Sequence, residues 1–233
     1  MAATTYEQFL DSAKVIKGTP ESEMVKRVGE RIACAVDSYF TRNKLSDRLK
    51  GYHWEFNLIQ DSAINAWAMP GGRVAVYTGI LPVARNDTGL AVAMAHEISH
   101  AIANHGDERL SQGLIAQLGG IALAEALRTR PELTQQLFLA AYGVGAQVGV
   151  LLPYSRLQES EADHLGLIFM SVAGYDPCAA VDFWRRMMQA QKGAAPPEFL
   201  STHPSDQNRL KDIQKLIPQA MKYYRTGICG GQR

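Results

Sequence analysis

His96-Glu97-Ile98-Ser99-His100 reads as HExxH. On a helix, a spacing of four puts both imidazoles on one face, one turn apart, where they can converge on a single metal ion. Glu97 projects beside that ion and can take a proton from a bound water. The pattern arises by chance in under about 1% of chains of this composition, which favours a metal site over two unrelated histidines. Residues 89–103 are rich in Ala, Val, Met and Ile, so this helix should be buried. Burying two His and a Glu without a partner is costly. A tetrahedral catalytic zinc then needs a third protein ligand and one open position. HExxHxxGxxH is excluded, because position 106 is Gly. His105, five residues past His100, sits about 140° around the helix and should point away. A carboxylate from another helix remains, and Glu159-Ser160-Glu161-Ala162-Asp163 opens one. Glu159 and Asp163 share a face while Glu161 lies opposite. One of the pair could ligate the metal while the other orients an imidazole. An acidic helix start favoured by the macrodipole is the competing account.

The elements that must position these groups follow from pattern and punctuation. Thr19-Pro20 reads as an N-cap with proline at the first helical position, opening a helix over 20–42. Its apolar positions, Met24, Val28, Ile32, Cys34–Val36 and Tyr39, recur at helical spacing. Residues 52–59 alternate as a strand, and Tyr52, Trp54 and Phe56 are expected in the core. Trp67–Met69 and Arg73–Thr78 form a second extended run broken by a turn at Pro70-Gly71-Gly72. Asn86-Asp87-Thr88 caps a helix running to about His105, and helical patterns dominate from there. Breaks fall near Arg130-Pro131, Pro153, Gly174–Pro177 and Ala194–Pro197. Strands early and helices late imply an α+β fold in one domain over 1–233.

Composition narrows the function classes. At 233 residues, 46% hydrophobic and 20% charged, the chain is of ordinary globular type. A net charge of +1 gives no electrostatic case for nucleic acid or anionic lipid as the main partner. Three scattered cysteines are too few for a disulfide framework, and without a CxxC pair they disfavour thiol-based zinc binding and dithiol redox chemistry. An oxidising compartment would allow one disulfide, with Cys178–Cys229 the favoured pair and Cys34 in the core. Met1–Tyr6 has no basic segment followed by an apolar one, so no signal peptide is expected in this chain. Leu133–Ser155 holds no charged residue and is formally long enough to cross a bilayer. Its three Gln, its glycines and Pro153 favour a buried helix, with the small stripe Ala141, Gly145, Gly149 admitting a neighbour. A mobile lid or exposed apolar face, and membrane insertion, are the alternatives.

Several further segments occur in a fixed order around the HExxH motif. Asn65-Ala66-Trp67 leads to Gly71-Gly72 and Tyr77-Thr78-Gly79; then come Ser155–Asp163 and His203-Pro204, with Arg209 six residues after that His. Together these resemble metallopeptidase family forty-eight, the gluzincins that include the CaaX prenyl protease and HtpX-like, Oma1-like, BepA-like and LoiP-like peptidases. The resemblance covers roughly residues 20–215, leaving 1–19 and 216–233 as peripheral segments. It implies a zincin-like fold, mostly helical with a small antiparallel sheet beside the HExxH helix, and one zinc per chain. It makes Glu159 the third ligand beside His96 and His100, and Asp163 the paired acid. His203 is placed on a loop over the metal, either donating to a developing oxyanion or binding as a fourth ligand in a resting, self-inhibited state. Arg209 would pair with an acid such as Asp163 and brace that loop. The chain looks like a minimal soluble core, which implies a periplasmic or outer-membrane-associated origin in a bacterium, with membrane contact at most peripheral or through an N-terminal anchor.

Two further expectations concern substrate and class. An edge strand with its turn, Ala68, Met69, Pro70, Gly71 and Gly72, could pair with a substrate backbone and so suit unfolded polypeptides; an ordinary sheet edge is the alternative. A zinc endopeptidase in protein quality control is the leading class. A zinc-holding chaperone or scaffold is disfavoured by Glu97, since a structural site needs no base. A membrane-embedded processing enzyme depends on 133–155.

Overall fold

The computed structural model describes residues 2–190, 199–200, 203 and 207–224. Pro204, Ser205, Cys229 and the break near 194–197 lie outside them. The chain divides into two compact units, Met1–Ala103 with Ser160–Arg233, and Asn104–Glu159. Helices predominate beside a four-stranded sheet, so the α+β, zincin-like expectation holds.

In the first unit, α1 (Ala2–Ser12) and the short β1 (Val15–Ile16) precede α2 (Pro20–Arg42). The Ser22 N–H donates to the Thr19 hydroxyl at 3.2 Å and the Thr19 N–H donates to Ser22 at 3.0 Å, a reciprocal cap that fixes where α2 begins. Val25, Val28, Ile32, Val36 and Phe40 form its buried stripe. Cys34 lies about 200° from Ile32 on that helix. It is exposed and disulfide-bonded, while Cys178 is an exposed free thiol. Both cysteine expectations are therefore corrected: Cys34 is not in the core, and Cys178 is not its chain's disulfide partner to Cys229.

Strands β2 (Glu55–Ile59), β3 (Ala66–Met69) and β4 (Arg73–Tyr77) complete the sheet in the order β1-β2-β4-β3. β3 and β4 form an antiparallel hairpin, but β2 pairs in parallel with β4, Glu55 opposite Arg73. The sheet is thus mixed, where a purely antiparallel one was expected. The cause is the 60–65 connection, which carries the chain past the place β4 will fill and leaves β3 on the edge. Gly71 and Gly72 have φ of 94° and 91°, left-handed values that favour glycine and close this turn. One sheet face joins the main core through Leu58, Val74 and Val76. Tyr6, Phe9 and Trp67 pack with Ile59 and Ala75 in a smaller cluster. Tyr52, Trp54 and Phe56 pack half-buried against the main core, as expected.

The short α3 (Leu81–Ala84) leads to α4 (Asp87–Ile102), where the Gly89 N–H donates to the Asn86 side chain at 2.9 Å. Every residue from Gly89 to Ile102 is buried. The helix ends at Ile102, three residues before His105, and Asn104 between them has φ 57°. His105 therefore opens a new helix instead of ending this one. The last part of α7 (Leu152–Val172) packs on α4 at Gly166, where a Cβ would lie 3.1 Å from the His96 backbone nitrogen. Helices α8 (Ala179–Ala190) and α9 (Gln207–Tyr224) close the unit.

The second unit is built from α5 (His105–Ala126), α6 (Glu132–Ala146), a π-helical turn at Gln147–Leu151, and the start of α7. The Tyr142 hydroxyl donates to the Ala116 carbonyl at 2.9 Å, with its ring over Gly119 and Gly120. No residue of α6 is buried, and Leu133 and Leu137 are 69% and 63% exposed. This corrects the buried-helix expectation in favour of an exposed apolar face. Gly145 and Gly149 have open space around them, so among the described residues neither glycine seats a neighbouring helix. An uncharged stretch shows what could be buried, not that a neighbour covers it. No helix among the described residues is long and apolar enough to cross a membrane.

Candidate metal centre

Helix α4 supplies the first two groups. The Nε2 atoms of His96 and His100 lie 3.1 Å apart, and Nδ1 of His203 lies 3.3 Å from Nε2 of His96. All three imidazoles are buried. Glu159, near the middle of α7, is also buried, and one ligand atom from each of His96, His100, Glu159 and His203 falls within 4.8 Å of the others. The donor set fits zinc: two ligands at 2.0–2.1 Å on a tetrahedral ion are about 3.3 Å apart, which matches the imidazole spacings. Three imidazoles and a carboxylate are also the ligand types this ion takes.

Asp163, one turn beyond Glu159 on α7, meets His96 from the other side, Oδ1 to Nδ1 at 3.1 Å. That is where an acid orients an imidazole so that Nε2 faces a metal. Arg209, from α9, donates Nε and Nη2 to the two Asp163 oxygens at 2.8 Å each. Burial pushes the Asp163 carboxyl up, but the Arg209 guanidinium and the His96 bond outweigh it and hold it below the usual carboxylate range. Arg209 Nη1 also donates to the His203 carbonyl at 3.4 Å, joining the acid to the histidine's backbone. Glu97 is buried, with Oε1 3.3 Å from Nε2 of His203. Glu161 is exposed, as its position on the helix requires.

Two aromatic side chains complete the surroundings and carried no sequence signal. The Trp184 ring lies 3.6 Å from the Arg209 guanidinium carbon and edge-on to His96 at 5.4 Å. Phe199 tilts against His203 at 4.8 Å. Aromatics in an apolar helical pattern look the same whether they line a core or a site.

The substrate-strand residues divide. Ala68 and Met69 lie on β3, a sheet edge that packs beside α4. The Gly71 and Gly72 carbonyls accept from the His53 and Glu55 N–H groups at 2.8 and 2.9 Å, so that part of the turn is already paired within the chain.

Comparison with known proteins agrees with the geometry. The model of peptidase family M48 matches residues 21–217. The chain belongs to peptidase family M48. It is 37% identical over 178 residues to the mitochondrial metalloendopeptidase OMA1 of Schizosaccharomyces pombe, covering 76% of this chain and 50% of that protein. To the Saccharomyces cerevisiae protein of the same name it is 34% identical, covering 78% and 52%. To the beta-barrel assembly-enhancing protease of Escherichia coli it is 30% identical over 223 residues, covering 91% of this chain and 42% of that one. The chain thus spans about half the length of these relatives.

Proposed function

We propose that the chain is the catalytic part of a zinc-dependent endopeptidase acting on unfolded or misassembled polypeptides. The observation that carries this is the buried quartet of His96, His100, Glu159 and His203 with Glu97 beside it. In this reading His96, His100 and Glu159 hold zinc, which when bound supplies a Lewis acid toward a carbonyl and lowers the pKa of water. Glu97 takes the proton of the attacking water and delivers it to the departing amine. Asp163 keeps His96 in the tautomer that exposes Nε2, and Arg209 keeps Asp163 ionised and aimed.

His203 is read as a brake. Its Nδ1 belongs to the same cluster, and four protein ligands fill a tetrahedral shell and leave no open position. Turnover then requires this imidazole to withdraw. The outer edge of β3 is the proposed seat for the substrate backbone, because backbone pairing reads few side chains. The relatives' names, metalloendopeptidase and beta-barrel assembly-enhancing protease, support a role in protein quality control. A disulfide at Cys34 favours an oxidising compartment such as the bacterial periplasm. Casein cleavage by zinc-loaded wild type and Glu97→Gln tests the activity. Fractionation of cells expressing the natural gene tests the compartment, and a cytosolic location would contradict it.

A further inference from the structure

Arg209 is a cation 8% exposed to solvent, bonded side-on to Asp163 through Nε and Nη2. Nη1 of the same group donates to the His203 carbonyl at 3.4 Å and Nη2 lies 3.3 Å from Nε2 of His96, so its edge faces the site from three sides. The Trp184 ring bears on its face. It lies 3.6 Å from the guanidinium carbon and is itself 1% exposed. The same ring meets His96 edge-on at 80° and packs against Phe199 at 5.7 Å, which in turn bears on His203. Trp184 comes from α8, a helix that contributes neither a ligand nor a base, yet it touches a group from α4 and one from α9. An aliphatic side chain could fill the space. It would offer no electron-rich face to a desolvated cation, and indole is the best such face among the side chains.

We propose that Trp184 is a positioning residue for the metal centre: it is the floor that sets the plane of Arg209, and through Arg209 and Asp163 it sets the orientation of His96. The proposal rests on the metal reading of this site, and its test separates the two. Zinc affinity is measured by competition with a chelator, well below the melting temperature of each metal-free protein, for wild type, Trp184→Phe, Arg209→Met and the double variant. Loss of a partner behind a metal ligand weakens binding about 10- to 100-fold, and Trp184→Phe is expected near the lower figure. In the Arg209→Met background the same change should have no further effect, because the group it acts through is gone. Unchanged affinity in Trp184→Phe with only a lower melting temperature would make Trp184 a core residue and overturn the proposal. Losses that multiply in the double variant would overturn it too, since Trp184 would then not act through Arg209. Should Trp184→Phe fail to fold, Trp184→Tyr, with a bulkier side chain, carries the same comparison. A wild type that bound no zinc would instead remove the metal reading itself.

Discussion

Glu97, Glu159 and Asp163 are three buried carboxylates within a small space, and their surroundings give them different work. Asp163 has a fixed cation and an imidazole N–H as partners, so it is held ionised and cannot serve as a proton shuttle. Glu159 offers an oxygen to a cluster of imidazole nitrogens, where a carboxylate can ligate a metal. Glu97 lies beside the cluster, with Oε1 3.3 Å from Nε2 of His203, where it is suited to exchange protons. Glu159→Ala should therefore weaken zinc binding on the order of 100-fold, read by chelator competition; wild-type affinity would make the ligand assignment wrong. Glu97→Gln should keep zinc and lose on the order of 100-fold or more in turnover. Spacing alone could not divide the work of Glu159 and Asp163, because i and i+4 share a face. What separates them in space is which side of His96 each one reaches. Trp184 was illegible for a different reason: no spacing rule connects it to His96, and only the packing of four helices does.

At the scale of elements, local chemistry made several boundaries readable. Thr19-Pro20 and Asn86 each supply a side chain that satisfies a free helix N–H, so α2 and α4 begin where their caps sit. The end of α4 was not readable, since nothing in the apolar pattern announces the left-handed turn at Asn104. Strand direction was likewise beyond reach, because alternation marks a strand without naming its neighbour. Two predictions belong here. Gly166→Leu would force a side chain against the His96 backbone and push α7 from α4. Zinc affinity and melting temperature should fall together, and retention of both would show that the close approach does not matter. Tyr6 is the second case. Burial pushes its hydroxyl up to about 12 from 10.0, against the smaller opposing effect of the Asn57 bond. A raised folded pKa means the folded state holds the proton more tightly, so this stability is complete below about pH 10 and is lost as pH rises toward 12. Tyr6→Phe should cost about 1 kcal/mol at neutral pH through the lost bond to Val74. It should also flatten the alkaline limb of the stability curve, which denaturant titrations at pH 8 and 11 would read.

For the molecule as a whole, folding and metal binding are linked. A ligand that binds only the folded chain stabilises it by about 2.7 kcal/mol at 100 times its dissociation constant. Zinc should raise the melting temperature and a chelator should lower it reversibly; identical melting curves would argue against a resident metal. The long uncharged stretch after Leu133 shows where composition stops informing, for it describes the apolar faces of α6 and not what meets them. The central claim is a working peptidase held at rest by His203. Casein cleavage by zinc-loaded wild type, Glu97→Gln and His203→Ala, side by side, tests it most directly. The expected result is slow cleavage by wild type, none by Glu97→Gln, and faster cleavage by His203→Ala. Undiminished cleavage by Glu97→Gln, or no cleavage by any of the three with zinc bound, would contradict it.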